Sequence, residues 1–344
     1  MKASLRHGME QTEASTHPPA WVRSLMDAPI EQPTEWGVAP TPHPRVIERG
    51  DFALTSLRIN RAVSLDADAF RQCTVDAYRR LGAELSLLKA VHPIRLWNFI
   101  PGILEPLGNL PHRYMVFNQG RFAAYEQWHA EHSDYFGRIA TASAVGHDGH
   151  TMEIHCLSCT HAGLPIENPR QVSAYCYSQR YGPLPPCFAR AMLLVEGAAA
   201  RRPMLLIGGT ASVVGERSAH PLSLERQLRE TCRNLRSLIA AGLLRARDGA
   251  LPPPLGDPLD HLEHVRVYYV RRGDRSALEE LSRGFFHQNS DVELVQAELC
   301  RPELLVEIEG LSVLPLMIPT SANEAANDHR ITCLNGAAAS GDHR

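Results

Sequence analysis

Between residues 66 and 309 the chain spells the same order of elements twice, and a repeat on that scale leaves few folds open. In the first copy, residues 66–89 carry Phe70, Ala77, Leu81, Leu85 and Leu88 on one helical stripe, with Ser64 in place as an N-cap. A strand over 94–100 follows, then a helix over 120–132 and strands over 139–145 and 152–157. The second copy repeats the order: a helix over 224–244, a strand over 265–270, a helix over 276–286, and strands over 293–299 and 304–309. Two similar α+β units in tandem are the economical reading. They are expected over 46–165 and 166–320, with 251–258 as a Pro-rich surface loop inside the second. Residues 1–45, interrupted by Pro18, Pro19, Pro33, Pro40, Pro42 and Pro44, read as an extended arm, and the small polar residues of 321–344 as a flexible tail.

Hydrophobic residues at 44% and charged residues at 21% are a globular balance, and 344 residues are ample for a buried core. A formal net charge of −3 gives no basic field for nucleic acid or an acidic membrane surface, so the default partner is a small molecule or a protein. The first ten residues lack the apolar core of a signal peptide, and no run has the length of a membrane span; a cytoplasmic protein is expected. The sequence carries no mark of oligomeric state.

The eight cysteines read as reduced thiols, Cys333 among them. Residues 155–161, HCLSCTH, have the C-x-x-C spacing of a zinc knuckle. No second such pair lies at a suitable distance, and alternation along a strand sends Cys156 and Cys159 to opposite faces. Buried core thiols are the stronger reading, and no metal site is expected.

The segment 297–310, AELCRPELLVEIEG, holds the densest chemistry. Extended, it turns Leu304, Val306 and Ile308 to one face and Leu305, Glu307 and Glu309 to the other. Carboxylates two apart on a strand lie roughly 7 Å from each other. In a cleft they would raise each other's proton affinity and furnish a general acid; on an open edge they would form a solvated acidic face. Residues 204–212, MLLIGGTAS, run an apolar strand into paired glycines, which suits close approach of a carboxylate to backbone N–H groups, or equally a bulge or tight turn without a ligand.

Residues 175–191, YCYSQRYGPLPPCFARA, together with IGGTAS and CRPELLVEIEG, resemble the chorismatase family, whose members remove the enolpyruvyl group of chorismate as pyruvate. The resemblance runs from about Leu96 to Gly310, through Asn168, Pro169, Arg170 and Gln171. It implies a degenerate N-terminal RidA/YjgF-like domain fused to a catalytic C-terminal one, each a mixed β-sheet backed by two α-helices.

Glu307 then matches the catalytic acid and Glu309 its supporting neighbour at the substrate. Arg190, Tyr181, Tyr177 and Thr210 match residues expected to hold the substrate. Gly209, or Gly208 if the match is displaced by one, and Cys300 look like the 3-hydroxybenzoate-forming kind, with 4-hydroxybenzoate as a second product in some relatives. No metal or organic cofactor is implied; the implied partner is chorismate, and pigment or quinone synthesis is the implied context.

Without the resemblance, Tyr175, Tyr177 and Tyr181 read as core, Cys300 as a buried thiol, and Arg190 as a buried cation in need of an anion, structural or bound. Three other functions stay open: hydrolysis of chorismate to a dihydroxycyclohexadienoate, a RidA-like imine or enamine deaminase, and a non-catalytic small-molecule sensor.

Overall fold

The computed structural model describes residues 16–26, 44–128, 139–195, 202–247 and 256–315. The chain opens with α1 (Ala20–Met26), a hairpin of β1 (Arg45–Arg49) and β2 (Phe52–Ile59), α2 (Ala67–Leu85), β3 (His92–Pro101), α3 (Arg113–Trp128), β4 (Thr141–His147) and β5 (Met152–Cys159). It continues through β6 (Leu164–Ile166), β7 (Ala191–Leu194), β8 (Met204–Ala211), the short pair β9 (Val213–Val214) and β10 (Arg217–Ser218), and α4 (Leu224–Ala246). The last elements are β11 (Leu262–Tyr269), α5 (Arg275–Phe285), β12 (Asp291–Gln296), β13 (Glu298–Leu299) and β14 (Val306–Val313).

The two larger sheets run β1-β2-β5-β3-β4-β13 and β12-β11-β14-β8-β7-β6. Reversed and without its outer strand β6, the second reads β7-β8-β14-β11-β12, which matches the first without β13, β1-β2-β5-β3-β4, strand for strand. The pairings agree as well: β3 with β4 and β11 with β12 are parallel, whereas β5 and β14 run antiparallel to both of their neighbours. Each sheet is mixed and is packed by two helices, the tandem α+β arrangement expected above. Phe70, Tyr78 and Leu81 of α2 and Phe117 of α3 bury against the first sheet. Leu228, Leu235 and Leu238 of α4 and Leu278 of α5 bury against the second.

The helix expected over 120–132 begins earlier, at Arg113, and its expected end lies outside the described residues; four further details differ from the sequence reading. The cap of α2 is Asp66, which accepts from the Ala69 N–H at 2.9 Å, because Ser64 is taken up in a 3-10 turn. The strand expected over 293–299 is two pieces: β12 stays in its own sheet, while β13 crosses to pair with β4 of the other. The hairpin β1–β2 went unread because β2 is buried on both faces and shows no alternation. The N-terminal arm is not wholly extended, since after Pro18 and Pro19 the stretch AWVRSLM forms α1 and buries Trp21, Val22 and Met26. The tail over 321–344, Cys333 and the greater part of the 251–258 loop lie outside the described residues. Among the described residues no helix is long and apolar enough to cross a membrane.

Helices α2 and α3 touch at Gly120, where a Cβ would lie 2.7 Å from the Arg71 carbonyl oxygen and 2.7 Å from the Thr74 Cβ. Nothing lies within 4 Å of a Cβ placed at Gly284 in α5. Gly120→Ala is therefore expected to destabilise by about 1–3 kcal/mol through overpacking. Gly284→Ala is expected to stabilise by up to about 1 kcal/mol through helix propensity. Urea unfolding midpoints of the two variants check the contrast.

Candidate active site

Along β14 the alternation sends Val306 and Ile308 into the core beneath α4. Glu307 and Glu309 therefore face the first sheet, and neither carboxyl is solvated: Glu307 is 5% exposed and Glu309 1%. Glu309 is gripped by four donors. Its Oε2 accepts from Arg95 Nη2 at 2.5 Å and from Ser143 Oγ at 2.5 Å, and its Oε1 accepts from Trp97 Nε1 at 3.0 Å and from the Tyr268 hydroxyl at 3.1 Å. Arg95, Trp97 and Ser143 belong to the first unit, so the bond network joins the two sheets across their interface.

Glu307 opens instead into a cavity of about 230 Å³. The cavity lies between Ala142, Ser143 and Ala144 of β4, the glycine end of β8, the start of α3 and the 300–304 loop that β13 carries over it. Burial, and then the Glu309 charge, push the Glu307 carboxyl up to about 8 against the pull of Arg95, Arg190 and Arg301. It thus keeps its proton at neutral pH.

A bulge makes room for this carboxyl. Between the pairs Ile308 with Thr210 and Gly310 with Ile207, two residues of β8, Gly208 and Gly209, stand opposite the single Glu309. A Cβ at Gly209 would fall on the Glu307 carboxyl itself, so the acid sits where only glycine leaves space. Gly209 lines the cavity, whereas a Cβ at Gly208 would meet Thr141 and Ala142 behind it.

Four arginines line the cavity, Arg180 at its exposed edge and the buried Arg121, Arg190 and Arg301. Arg190 donates to the Val172 carbonyl at 2.9 Å and the Tyr177 hydroxyl at 2.6 Å, and its Nε has no partner. Arg301 stacks at 3.9 Å on the Tyr181 ring and donates to the Glu216 carbonyl at 2.8 Å. Arg121 bonds the Asn118 side chain at 3.0 Å. Among the described residues none of the three buried ones has a carboxylate at ion-pair distance. Buried guanidinium groups so arranged are built to receive an anion.

Of the residues singled out by sequence, Glu307, Cys300, Arg190, Tyr177, Tyr181 and Gly209 line one cavity. Glu309 and Thr210 do not. Glu309 is spent on its four donors one residue deeper in the alternation, and the Thr210 hydroxyl turns back to the Gly208 carbonyl at 3.0 Å. Tyr175 packs on the first core. Cys300 keeps some exposure to the cavity, yet burial and the nearby Glu307 push its thiol up to about 12, so it stands as a thiol and not a thiolate.

Arg301, Arg121, Ser143 and Phe188 were missed. Arg301 sits inside the quoted CRPELLVEIEG motif and Phe188 inside YCYSQRYGPLPPCFARA, and that was their one available signal; Arg121 and Ser143 meet the site only through the fold. Cys156 and Cys159 are buried thiols of β5, and among the described residues no group of His, Cys, Asp and Glu is arranged to hold a metal ion.

The repeat supplies an internal control. In β5 the stretch Glu153-Ile154-His155 occupies the place of Glu307-Ile308-Glu309: Glu153 pairs with Phe99 as Glu307 pairs with Tyr268, and His155 with Trp97 as Glu309 with Arg266. Across the other edge, Glu153 faces Arg58 where Glu307 faces Ala211, and β2 has no bulge. Burial raises Glu153, but the hydrogen bond and charge of His155, with Arg58 and His17, overcome it and hold the carboxyl below the usual range. One strand pattern yields an ionised carboxylate in the first unit and a protonated acid in the second.

Comparison with known proteins finds similarity over part of the chain. Residues 41–158 match the family described as Chorismatase FkbO/Hyg5-like, N-terminal. The chain is 36% identical over 219 residues to a 3-hydroxybenzoate synthase of Streptomyces hygroscopicus, covering 63% of this chain and 62% of that protein. It is 30% identical over 220 residues to a chorismatase of Streptomyces rapamycinicus, covering 63% of each. The chain thus spans less than two thirds of the length of these curated relatives. The crystal structure of a chorismatase superposes with a TM-score of 0.68 at 25% identity, over 82% of this chain and 80% of that one.

A carboxyl raised by folding contributes stability that is complete below its ordinary titration range and is lost as pH rises through the folded value of about 8. Glu307→Gln removes that loss. Its melting temperature is expected to equal the wild type's near pH 5 and exceed it at pH 9, and calorimetry of the pair across pH reads the difference.

Proposed function

We infer that this chain, a relative of the chorismatases, cleaves chorismate to pyruvate and 3-hydroxybenzoate, with Glu307 as general acid. The observation that carries this reading is a protonated carboxyl in a hollow lined by arginines without anions. Chorismate is a dianion carrying a vinyl ether. Arg190, Arg301 and Arg121 supply cations for its two carboxylates, and the rings of Tyr177 and Tyr181 a flat wall for its ring. The acid is supplied by the unit proposed over 166–320, and the opposite wall by the one proposed over 46–165.

Glu307 protonates the terminal methylene carbon of the enolpyruvyl group. The oxocarbenium centre so formed takes up water, which the resulting Glu307 carboxylate is placed to deprotonate, and the C–O bond to the side chain breaks to release pyruvate. The C3 oxygen stays on the ring. Loss of the C4 hydroxyl as water and of one ring proton then gives 3-hydroxybenzoate, so one water enters and one leaves. General acid catalysis contributes about 10²–10⁴-fold. The remainder falls to the fixed guanidinium charges, which need no reorganisation during reaction. Cys300, held as a thiol, shapes the space beside the ring intermediate and is unsuited to act as a base.

The alternative, a hydrolase that stops at the dihydroxycyclohexadienoate, shares every step up to pyruvate release. The pairing of Gly209 with Cys300 and the identity to a 3-hydroxybenzoate synthase favour the aromatic product.

Three outcomes are expected when chorismate is supplied and pyruvate and hydroxybenzoates are quantified together. The kcat/KM for pyruvate release falls as pH rises through about 8, because only protonated Glu307 acts. Glu307→Gln lowers it at least about 10²-fold; near-normal release by this variant would falsify the assignment. Cys300→Ala alters the proportion of products more than total turnover, as read by chromatography.

A further inference from the structure

We propose that residues 16–26 are a positioning element for the catalytic acid, fixing the two donors that hold one oxygen of Glu309 directly behind it. The proposal rests on the reading of Glu307 as the acid. It concerns a segment that lies before the matched span 41–158 and touches no atom of the cavity.

The segment is fastened at three points. The Thr16 carbonyl lies 3.0 Å from His155 Nε2 on β5, and the Nδ1 of that ring lies 2.8 Å from Ser56 Oγ. The His17 carbonyl accepts from Arg266 Nη1 at 2.7 Å on β11. The Trp21 ring tilts against Trp97 on β3, with centroids 5.9 Å apart. The first and third fastenings belong to one unit and the second to the other, so the segment straps the two together. A helix of seven residues has no stability of its own, and α1 is ordered by what Trp21, Val22 and Met26 bury.

The second and third fastenings lead to a single atom. The Arg266 nitrogen that meets the His17 carbonyl also bonds the Tyr268 hydroxyl at 3.3 Å, and that hydroxyl donates to Glu309 Oε1 at 3.1 Å. Trp97, backed by Trp21, donates its Nε1–H to the same Oε1 at 3.0 Å. Both donors to Oε1 are therefore supported by the segment. The donors to Oε2, Arg95 and Ser143, stand on β3 and β4 and make no bond to the segment, although Arg95 lies over the Trp97 ring at 4.7 Å.

Loosening the segment should free Oε1 and admit water beside Glu309. The burial that chiefly favours neutral Glu307 then weakens, and so does the effect of the fixed Glu309 charge. Both changes lower the proton affinity of Glu307. Arg95, Arg190 and Arg301, which also act on it, already pull in that direction. Cys300 and Tyr114, both held up by burial, add no charge at neutral pH. On the segment itself His17 faces Glu153, His155, Arg266 and Arg23, and burial holds it low, so the strap does not titrate in the same range.

The test follows the protonated Glu307 carboxyl by infrared spectroscopy across pH in the full-length chain, with Glu307→Gln to assign the band. In the wild type the band should vanish with a midpoint near pH 8. Trp21→Leu, which keeps apolar bulk but removes the ring on Trp97, should lower the midpoint by about one pH unit, a tenfold change in proton affinity. Trp21→Phe should lower it less. The pH at which half of kcat/KM for pyruvate release is lost should move in step.

A midpoint unmoved in a Trp21 variant that melts cooperatively overturns the proposal, and Trp21→Phe decides it if Trp21→Leu does not fold. If wild-type protein releases no pyruvate from chorismate, the substrate reading falls, while the infrared titration still decides the role of the strap. A wild-type spectrum without the band removes both.

Discussion

The bond between Arg95 and Glu309 is the constraint on which the rest depends. Each side chain is 1% exposed, and each comes from a different copy of the repeat. Breaking a buried pair by removing one partner costs about 3–5 kcal/mol, because the survivor is left charged in a dry interior. Neither copy can therefore leave the other without stranding an ion, and the interface that contains the cavity is held shut by the same bond. The dryness of that interface accounts for the proton on Glu307, whose carboxyl gains most of its proton affinity from burial and the next share from the Glu309 charge.

Duplication alone would have given two equivalent strand environments, and the structure shows where the two copies differ. The difference lies in the neighbour on the carboxylate strand itself, His155 in one copy and Glu309 in the other, and in β2 and β8. Where β8 spends Gly208 and Gly209 on a bulge and offers Ala211 opposite the acid, β2 runs without interruption and offers Arg58 at 3.8 Å from Glu153. An uninterrupted strand leaves no vacant space beside the carboxyl, and a guanidinium next to it removes the reason to hold a proton. The strap over residues 16–17 lies against the His155 side of the first copy.

Much of the element order was legible because both units carry amphipathic helices and short apolar strands with clear periods. The acidic face of 304–309 was legible as well, since alternation on a strand fixes which residues share a side. Alternation could not say which of two carboxyls on that side meets the cavity. That choice is made by the bulge at Gly208 and Gly209 and by Arg95, Trp97 and Ser143, residues some two hundred positions away. For the same reason Thr210 was placed at the substrate although its side chain turns inward. Arg121 and Ser143 lie on elements of the first unit and carry no local mark of a shared site. Trp21, within a proline-interrupted arm, gave no periodic signal long enough to read, and its place is set by Trp97.

The protonation of Glu307 and the unpaired arginines are two sides of one electrostatic arrangement. Were the carboxyl ionised, Arg190 or Arg301 would be drawn to it, and the substrate's carboxylates would have to compete with an internal anion. Held neutral, it leaves the guanidinium groups for the ligand. A bound dianion in turn sets negative charge near Glu307, which raises its proton affinity further. By linkage, whatever protonates Glu307 must then tighten the dianion by the same factor. On the function proposed above, the site would therefore load its substrate and its proton together, and a carboxyl poised at about 8 before binding would be secured in the acid form once the cavity is filled.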